Sequence, residues 1–191
     1  MGVQPEFVLT SWPALIDDLQ TGNYDIAMSG VSRTLARQQV GLLSRPYHAD
    51  GKTPIGRCAD RARFGSLDRI DQPDVRVVVN PGGTNERFVD ERIRQARKVL
   101  HPDNRTIFAE IAAGRADVMF TDRIEVDLQA RRHPELCALL ADDLTYQEKS
   151  YLMPQDPIWL EFVDTWLALR LAEGAVDAAF AAHGAARGAP R

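Results

Sequence analysis

Residues 75–85, Val-Arg-Val-Val-Val-Asn-Pro-Gly-Gly-Thr-Asn, give the clearest indication of the fold. The β-branched run Val75–Val79 predicts a strand that is buried on both faces, as in the middle of a parallel sheet. The segment 81–83 ends this strand, and Thr84 is expected to cap the helix that follows. A buried strand, a glycine turn and a helix start in this order are typical of an α/β fold.

The same alternation of short strands and helices extends in both directions from this stretch. Ser11 is expected to cap an early helix that stops near Gly22. The long helix near the carboxyl terminus has an expected apolar side formed by Trp159, Phe162, Trp166 and Leu169. Further strands are predicted at 7–9, 25–29, 53–58, 99–100, 117–121 and 150–153, and further helices at 104–113, 124–132 and 158–171.

Two segments resemble each other, which predicts two lobes of similar construction. Residues 22–30 and 114–122 both begin at a glycine, continue through an aspartate into an apolar strand, and place Ser29 or Thr121 at the end of that strand. Ligands of open α/β sheets bind at the carboxyl ends of strands, so both hydroxyls are expected to face one cleft. The predicted ranges are 1–57 for part of lobe one, 58–148 for lobe two, 149–182 for the return to lobe one, and 183–191 for a frayed tail.

Composition excludes several classes of protein. The 191 residues carry 23 Lys and Arg against 27 Asp and Glu, a net charge of −4, and 45% are hydrophobic. This profile is typical of a soluble globular protein and lacks the basic surface of a nucleic-acid binder. No apolar run approaches the roughly 20 residues that a membrane helix needs.

Cysteine and histidine spacing predicts no metal site. Cys58 and Cys137 lack the neighbours of a zinc site, and the four histidines are scattered. The two cysteines are either free thiols or one disulfide, and the residues alone leave this open.

Residues 80–85 form the strongest candidate binding site. The turn into a helix aims backbone N–H groups and the positive end of the helix dipole outward, as in an anion site. The segment matches neither common nucleotide-binding glycine motif, and the alternative is an ordinary turn between strand and helix.

Charged residues elsewhere are weaker candidates. Arg37 follows a helix cap at Thr34 and is either a bidentate carboxylate clamp or a solvated surface residue. Lys52 is either a second positive charge in the cleft or a loop lysine, and Trp12 is either a pocket wall or part of the core. Glu125 is either a solvated first-turn acid or, if desolvated in the cleft, a general acid with a raised pKa.

A second set of polar groups accompanies these candidates near predicted strand ends. Asp122 is expected to cap the helix that contains Glu125. The strand at 150–153 is preceded by Tyr146, Glu148 and Lys149, and their positions indicate a binding site only weakly.

Residues 25–30 with Arg37, together with residues 114–122, resemble the type II periplasmic solute-binding proteins. In that family the counterpart of Arg37 grips a ligand carboxylate, and the later Thr-Asp pair lies in the cleft. Several stretches further resemble the cyclohexadienyl dehydratases, periplasmic arogenate and prephenate dehydratases built on this fold. They are 10–13, 50–55, 70–73, 79–86, 101–104, 133–137 and 148–154.

This resemblance implies a carbon–oxygen lyase that needs no cofactor. Prephenate would lose CO2 and water to give phenylpyruvate, or arogenate would give phenylalanine, with Glu125 as the general acid. A dicarboxylate substrate requires two anionic anchor sites. The implied substrate-binding residues are Trp12, Ser29, Gly30, Ser32, Arg37, Lys52, Asn80, Gly83, Thr84, Asn85, Thr121, Asp122 and Glu148.

The sequence departs from the family at its amino terminus. It has no export signal and lacks the opening strand–helix–strand of lobe one, so we expect a truncated or misassigned start and, by resemblance, a periplasmic protein.

The rival interpretation is an amino-acid solute-binding protein of an ABC transporter. Glu125 and the pair of glycines at 82 and 83 distinguish the two, because a binder has no use for an acid beside a ligand hydroxyl. The preferred substrate and a homo-oligomeric state are left open by the residues.

Overall fold

The computed structural model describes residues 2–184 and Gly188. It contains two sheets. In the first sheet, β9 is the central strand and pairs antiparallel with three others. Its strands are β1 (Ala27–Ser32), β2 (Leu42–Leu43), β3 (His48–Asp50) and β9 (Gln147–Met153), and its helices are α1 (Leu15–Gln20), α2 (Leu35–Gln38), α7 (Pro157–Ala172) and α8 (Ala175–Ala182).

The second sheet has five strands in the order β6-β5-β7-β4-β8. Strand β5 runs parallel to β6 and β7, whereas β4 runs antiparallel to β7 and β8. The strands are β4 (Lys52–Arg57), β5 (Arg76–Val79), β6 (Arg97–Leu100), β7 (Val118–Asp122) and β8 (Leu136–Ala138). The helices are α3 (Leu67–Ile70), α4 (Thr84–Arg92), α5 (Ile107–Ala112) and α6 (Arg123–Arg132), with a short 3-10 helix at Cys58–Asp60.

The burial predicted for the strand at 75–79 is confirmed. Val77 and Val79 pack into one core cluster, and Val78 packs into the cluster on the other face. All three are at most 1% exposed. A smaller apolar cluster, around Leu15, Val31 and Leu152, joins α1 to the first sheet. The α/β fold class is therefore confirmed.

The chain passes from the first sheet to the second at Gly51. A Cβ atom at Gly51 would collide with the carbonyl of Thr145, which belongs to the segment that returns to the first sheet. The backbone N–H of Lys52 donates to Thr145 Oγ1 at 2.9 Å, so the two crossings are bonded to each other. Strand β4, which lies within the predicted range 1–57, pairs with the second sheet.

Three local predictions near the amino-terminal part and the glycine turn are wrong. Residues 7–9 form no strand, and Phe7 and Leu9 are more than 90% exposed, because no described strand pairs with them. The N-cap of α1 is Ala14 rather than Ser11, and no side chain caps this helix. Gly83 occupies the N-cap of α4, so Thr84 is its first helical residue. The Thr84 hydroxyl accepts a hydrogen bond from Lys52 instead.

The apolar side predicted for α7 is also wrong. Val163 and Leu167 are the buried residues, while Phe162, Trp166 and Leu169 are 44–54% exposed. Helix α7 is apolar around most of its circumference, so the spacing of its residues does not select one face. Tertiary contacts make the selection, including a hydrogen bond of 3.1 Å from Trp159 Nε1 to the Asp25 carbonyl.

Cys58 and Cys137 form a disulfide with a Cα–Cα distance of 5.3 Å, which resolves the alternative left open by the residues. Of the tail at 183–191, His183, Gly184 and Gly188 are described. The Gly188 N–H donates to His48 Nδ1 at 2.9 Å, and its carbonyl accepts from the Ala49 N–H. The rest of the predicted frayed tail lies outside the described residues. No helix in the described part of the chain is both long enough and apolar enough to cross a membrane.

Candidate active site

The candidate site lies where the two sheets meet. The carboxyl ends of β5 and β7 lead into α4 and α6, as expected for a ligand site in an α/β sheet. Lys52 begins β4 beside Asp122, with which it is paired in the strand register. The end of β1 and the start of β9 reach the same region from the first sheet.

Glu125 is held in the first turn of α6 by two polar neighbours. Thr121 Oγ1 donates a short hydrogen bond to Glu125 Oε2, and Asn104 Nδ2 is 3.5 Å from Oε1. Burial raises the pKa of Glu125, and the charge of Asp122 raises it further, against the opposing effects of Thr121, Lys52 and Asn104. A buried carboxyl group whose pKa is raised is better suited to proton donation than a solvated acid.

Lys52 is fully buried, and its ammonium group has three partners. Its Nζ donates to Thr84 Oγ1 at 3.0 Å, to Asp122 Oδ1 at 2.6 Å, and to Asn85 Oδ1. An ammonium group has three N–H donors, so all of them are used. Burial lowers the pKa of Lys52, although the charge of Asp122 acts in the opposite direction. A direct contact between Lys52 and a substrate would therefore require the exchange of a partner.

The prediction that Asp122 caps α6 is wrong. Asp122 occupies the N-cap position without a capping hydrogen bond from its side chain. Asp50 serves instead, because its Oδ2 accepts from the Ile124 N–H at 3.1 Å. The carboxylate of Asp122 is thereby free to lie between two lysines, with Oδ1 on Lys52 and Oδ2 2.6 Å from Lys149 Nζ. Burial alone would raise the pKa of Asp122, but the two lysines outweigh burial and lower it.

Arg37 belongs to α2, whose N-cap Thr34 accepts a hydrogen bond from the Arg37 N–H. Its guanidinium donates to the Ser32 carbonyl at 2.7 Å and lies 5.6 Å from the centre of the Trp12 ring. Arg37 lines a cavity of about 350 Å³ together with Gly83, Thr84 and Arg87. The remaining N–H groups of the guanidinium could donate to a carboxylate in the cavity.

The glycine turn packs against the segment that contains Trp12 and Pro13. Gly82 has φ +82°, and a Cβ atom there would lie 2.8 Å from Pro13. A Cβ atom at Gly83 would lie 3.4 Å from the Trp12 ring. The Gly82 N–H donates to Glu86 Oε2 at 2.7 Å, whereas no side chain caps the start of α4. The first N–H groups of α4 therefore remain suited to an anion.

The structure places Ser29 and Thr121 in different surroundings. Thr121 is fully buried and accepts from Asn85 Nδ2 at 3.2 Å. Ser29 is exposed next to Gly30, which has φ +67° within an irregular part of β1. It is Ser32, three residues further along β1, that reaches the site, because its Oγ accepts from Lys149 Nζ at 2.8 Å.

The side chains of Asn80 and Glu148 differ in the hydrogen bonds that their oxygen atoms form. Asn80 directly follows β5, is 2% exposed, and its Oδ1 has no hydrogen-bond partner among the described residues. Such a buried acceptor is suited to a ligand hydroxyl or a water molecule. Glu148 is already occupied, since it forms an ion pair of 2.8 Å with Arg33 and accepts from Tyr146 Oη at 3.2 Å.

Asp50 and Asn104 belong to the site but were not among the predicted site residues, and Lys149 was only a weak candidate. All three lie in stretches that carry the family resemblance, and this was the available signal. Their pairing with Asp122, Ile124 and Glu125 depends on segments that meet only in the folded protein. Within the described residues, no group of three or more His, Cys, Asp or Glu side chains could hold a metal ion.

The fold and this site together define the class of protein. The chain belongs to the bacterial extracellular solute-binding proteins, family 3, whose model matches residues 1–184. The chain is also 49% identical over 168 residues to cyclohexadienyl dehydratase of Pseudomonas aeruginosa, an alignment that covers 87% of this chain. It spans 63% of the length of that relative.

Solved structures agree with this classification. The ancestral amino acid-binding protein AncCDT-1, described as a precursor of cyclohexadienyl dehydratase, matches with a TM-score of 0.83 and 31% identity over 92% of this chain and 76% of that one. An amino acid ABC transporter substrate-binding protein from Streptococcus pneumoniae, bound to L-arginine, matches with a TM-score of 0.85. Its identity is 24%, with 92% of this chain and 74% of that chain covered, so it supports the fold alone.

Proposed function

We propose that this chain carries the activity of a cyclohexadienyl dehydratase, with Glu125 as the general acid. The observation that carries the proposal is a buried carboxyl group with a raised pKa, hydrogen-bonded by Thr121 at the end of β7, where Lys52 and Asp122 are also paired. The 49% identity to a protein of that name supports it. The ranges 1–57 with 149–182, and 58–148, remain our proposed division into lobes, although β4 within the first range pairs with the second sheet and β9 of the first sheet begins at Gln147.

The reaction that fits these groups is a decarboxylating dehydration. The ring carboxylate of prephenate leaves as CO2, the electron pair of the broken C–C bond enters the ring, and the C–O bond at the 4-hydroxyl breaks. Glu125 donates its proton to that oxygen, so that water rather than hydroxide departs. Arogenate would follow the same steps to phenylalanine, and formation of the aromatic ring drives the reaction without a cofactor.

Two anionic groups of the substrate require two anchors on opposite sides of the cleft. Arg37 supplies a guanidinium from the first sheet, and the uncapped start of α4 supplies N–H groups at Thr84 and Asn85. Trp12 and Gly83 shape the wall between them, and the unpaired Asn80 Oδ1 is available to a hydroxyl. Lys52 acts behind these groups through Thr84 and Asn85.

The proposed location is the periplasm. The family consists of extracellular solute-binding proteins, and the Cys58–Cys137 disulfide suits an oxidising compartment.

Turnover of prephenate tests the proposal directly. The purified protein is incubated with prephenate, and phenylpyruvate is measured over time. We expect turnover, and we expect Glu125→Gln to lower kcat by roughly 100-fold or more, because the amide cannot donate a carboxyl proton. Glu110→Gln is the matched control, since Glu110 pairs with Arg115 on the surface of α5.

Two results would reject the assignment. A folded protein that binds amino acids without converting prephenate would be a solute-binding protein. Equal kcat values for the wild type and Glu125→Gln would remove Glu125 from the reaction.

A further inference from the structure

We propose that Lys149 is a positioning residue for the proton donor, acting on Glu125 through Asp122 and Lys52. This inference rests on the proposed function. It assigns a role to a lysine that has no contact with Glu125 and that lies on the other sheet.

Lys149 connects the two sheets at the site through its side chain. It lies on β9, is 2% exposed, and extends its ammonium group to Asp122 Oδ2 on β7 at 2.6 Å. Ser32 Oγ on β1 accepts from the same group at 2.8 Å, and Gln147 Oε1 lies at 3.4 Å. The ammonium group of Lys149 has three N–H donors, and these three partners use all of them, which fixes its orientation.

A continuous series of hydrogen bonds leads from Lys149 to the acid. Asp122 accepts from both Lys149 and Lys52. Lys52 donates to Asn85 Oδ1, and Asn85 Nδ2 donates to the hydroxyl of Thr121. That hydroxyl in turn donates to Glu125. A shift of Asp122 would therefore move the donor that orients the carboxyl group.

Charge balance provides the second link. The two ammonium groups of Lys52 and Lys149 face the two carboxylates of Asp122 and Asp50, so these four groups sum to zero. Further titratable groups face this cluster. His48 Nε2 lies 3.3 Å from Asp50. The charge of Asp122 acts on Tyr47 and Arg37, and the charge of Asp50 acts on Tyr47 and Asp127. The neutral groups that face Glu125 are Thr121, Asn104 and, through Thr121, Asn85.

Removal of the Lys149 charge leaves one uncompensated negative charge beside Glu125. In a buried site this makes ionisation of Glu125 harder, and it leaves one oxygen of Asp122 without its partner. The acid then holds its proton more tightly and is less well oriented.

The test compares Lys149→Gln with Arg76→Gln. Arg76 is the matched control, because Asp117 at the other end of β7 lies between Arg57 and Arg76 just as Asp122 lies between two lysines. In Lys149→Gln we expect kcat to fall about tenfold and the alkaline limb of the kcat profile to move up by about one pH unit. In Arg76→Gln we expect the limb to stay where it is in the wild type.

A measurement that needs no turnover separates this inference from the proposed function. The carboxyl carbon of Glu125 is titrated by NMR, with Glu125→Gln to assign the signal. An upward shift of the Glu125 pKa in Lys149→Gln alone supports the inference, even if prephenate is not converted. An unchanged pKa in a folded Lys149→Gln protein overturns it.

A milder variant covers the case in which Lys149→Gln does not fold. Ser32→Ala removes only the hydroxyl that accepts from Lys149. Without this acceptor the ammonium group of Lys149 is held less firmly against Asp122, so we expect a smaller upward shift of the Glu125 pKa. An unchanged pKa of Glu125 in that folded variant would equally overturn the inference.

Discussion

Glu125 illustrates how burial and neighbouring charge define the chemistry of one residue. The first turn of a helix normally favours an ionised carboxylate, through the helix dipole. Here burial and Asp122 raise the pKa of Glu125 despite that position. The same carboxyl group that is suited to proton donation is therefore expected to reduce stability when it ionises.

Replacement of Glu125 by glutamine is expected to raise the free energy of unfolding near pH 7. The folded pKa lies above the ordinary value of 4.5, so ionisation favours the unfolded chain as the pH rises above that value. Below it both states are protonated, and the advantage of Glu125→Gln should disappear. Thermal unfolding of both proteins near pH 7 and near pH 4 measures this.

Glu110 provides the control of opposite sign. Its pKa is lowered by Arg115, so Glu110→Gln should bring no gain in stability near pH 7. A Glu125→Gln protein with the same advantage at both pH values would contradict the expectation.

In helix α7, local sequence features determine where the helix starts, whereas contacts with distant residues determine which of its faces is buried. Asp156 caps the helix, accepting from the N–H groups of Ile158 at 2.9 Å and Trp159 at 3.1 Å, and Pro157 stands at the first turn. These local features begin the helix where the sequence predicted it. Its rotation depends instead on contacts with distant residues, such as Asp164 with Arg45.

Loss of the cap should weaken this element in a measurable way. We expect Asp156→Ala to lower the free energy of unfolding by about 1 kcal/mol, because two backbone donors lose their acceptor. Urea unfolding measures the change. Glu161→Ala, an exposed substitution on the same helix, should change stability by less than about 0.5 kcal/mol. Equal effects of the two substitutions would show that the cap contributes nothing specific.

At the scale of the whole molecule, the disulfide and the paired crossings hold distant parts of the chain together. Cys58 follows β4 and Cys137 lies in β8, and these neighbouring strands are 79 residues apart at the cysteines. Lys52 and Thr145 bond the two crossings between the sheets. The hydrogen-bonded crossing therefore lies at the site, at the start of β4, whereas the disulfide closes the opposite end of the same strand.

Removal of the disulfide is expected to destabilise the protein substantially. In the chain-entropy description a loop of this length corresponds to about 4 kcal/mol. The double variant Cys58→Ser with Cys137→Ser should therefore unfold at a lower denaturant concentration than the oxidised wild type. A reducing agent should lower the stability of the wild type toward that of the double variant and leave the double variant unchanged. A wild type that is insensitive to the reducing agent would contradict this.

Local patterns in the sequence predicted part of this protein. The strand at 75–79, the helix that contains Glu125 and the glycine turn at 82–83 were all readable, because β-branched runs, helical spacing and glycine act over a few residues. The wrong predictions of a strand at 7–9, a helix cap at Thr84 and the apolar side of α7 have one common cause. Each depended on which partner the segment would meet, and periodicity does not identify the partner.

The sequence by itself determined the α/β class, the position of the glycine turn and the kinds of charged group available. Tertiary structure alone decided how these charges pair, with Asp50 capping α6, Asp122 lying between Lys52 and Lys149, and Glu125 facing Thr121. The physical reason is the distance along the chain over which each effect acts, because backbone preferences act between near neighbours in the chain. Burial and pairing of charges, by contrast, depend on residues that meet only when both sheets have formed.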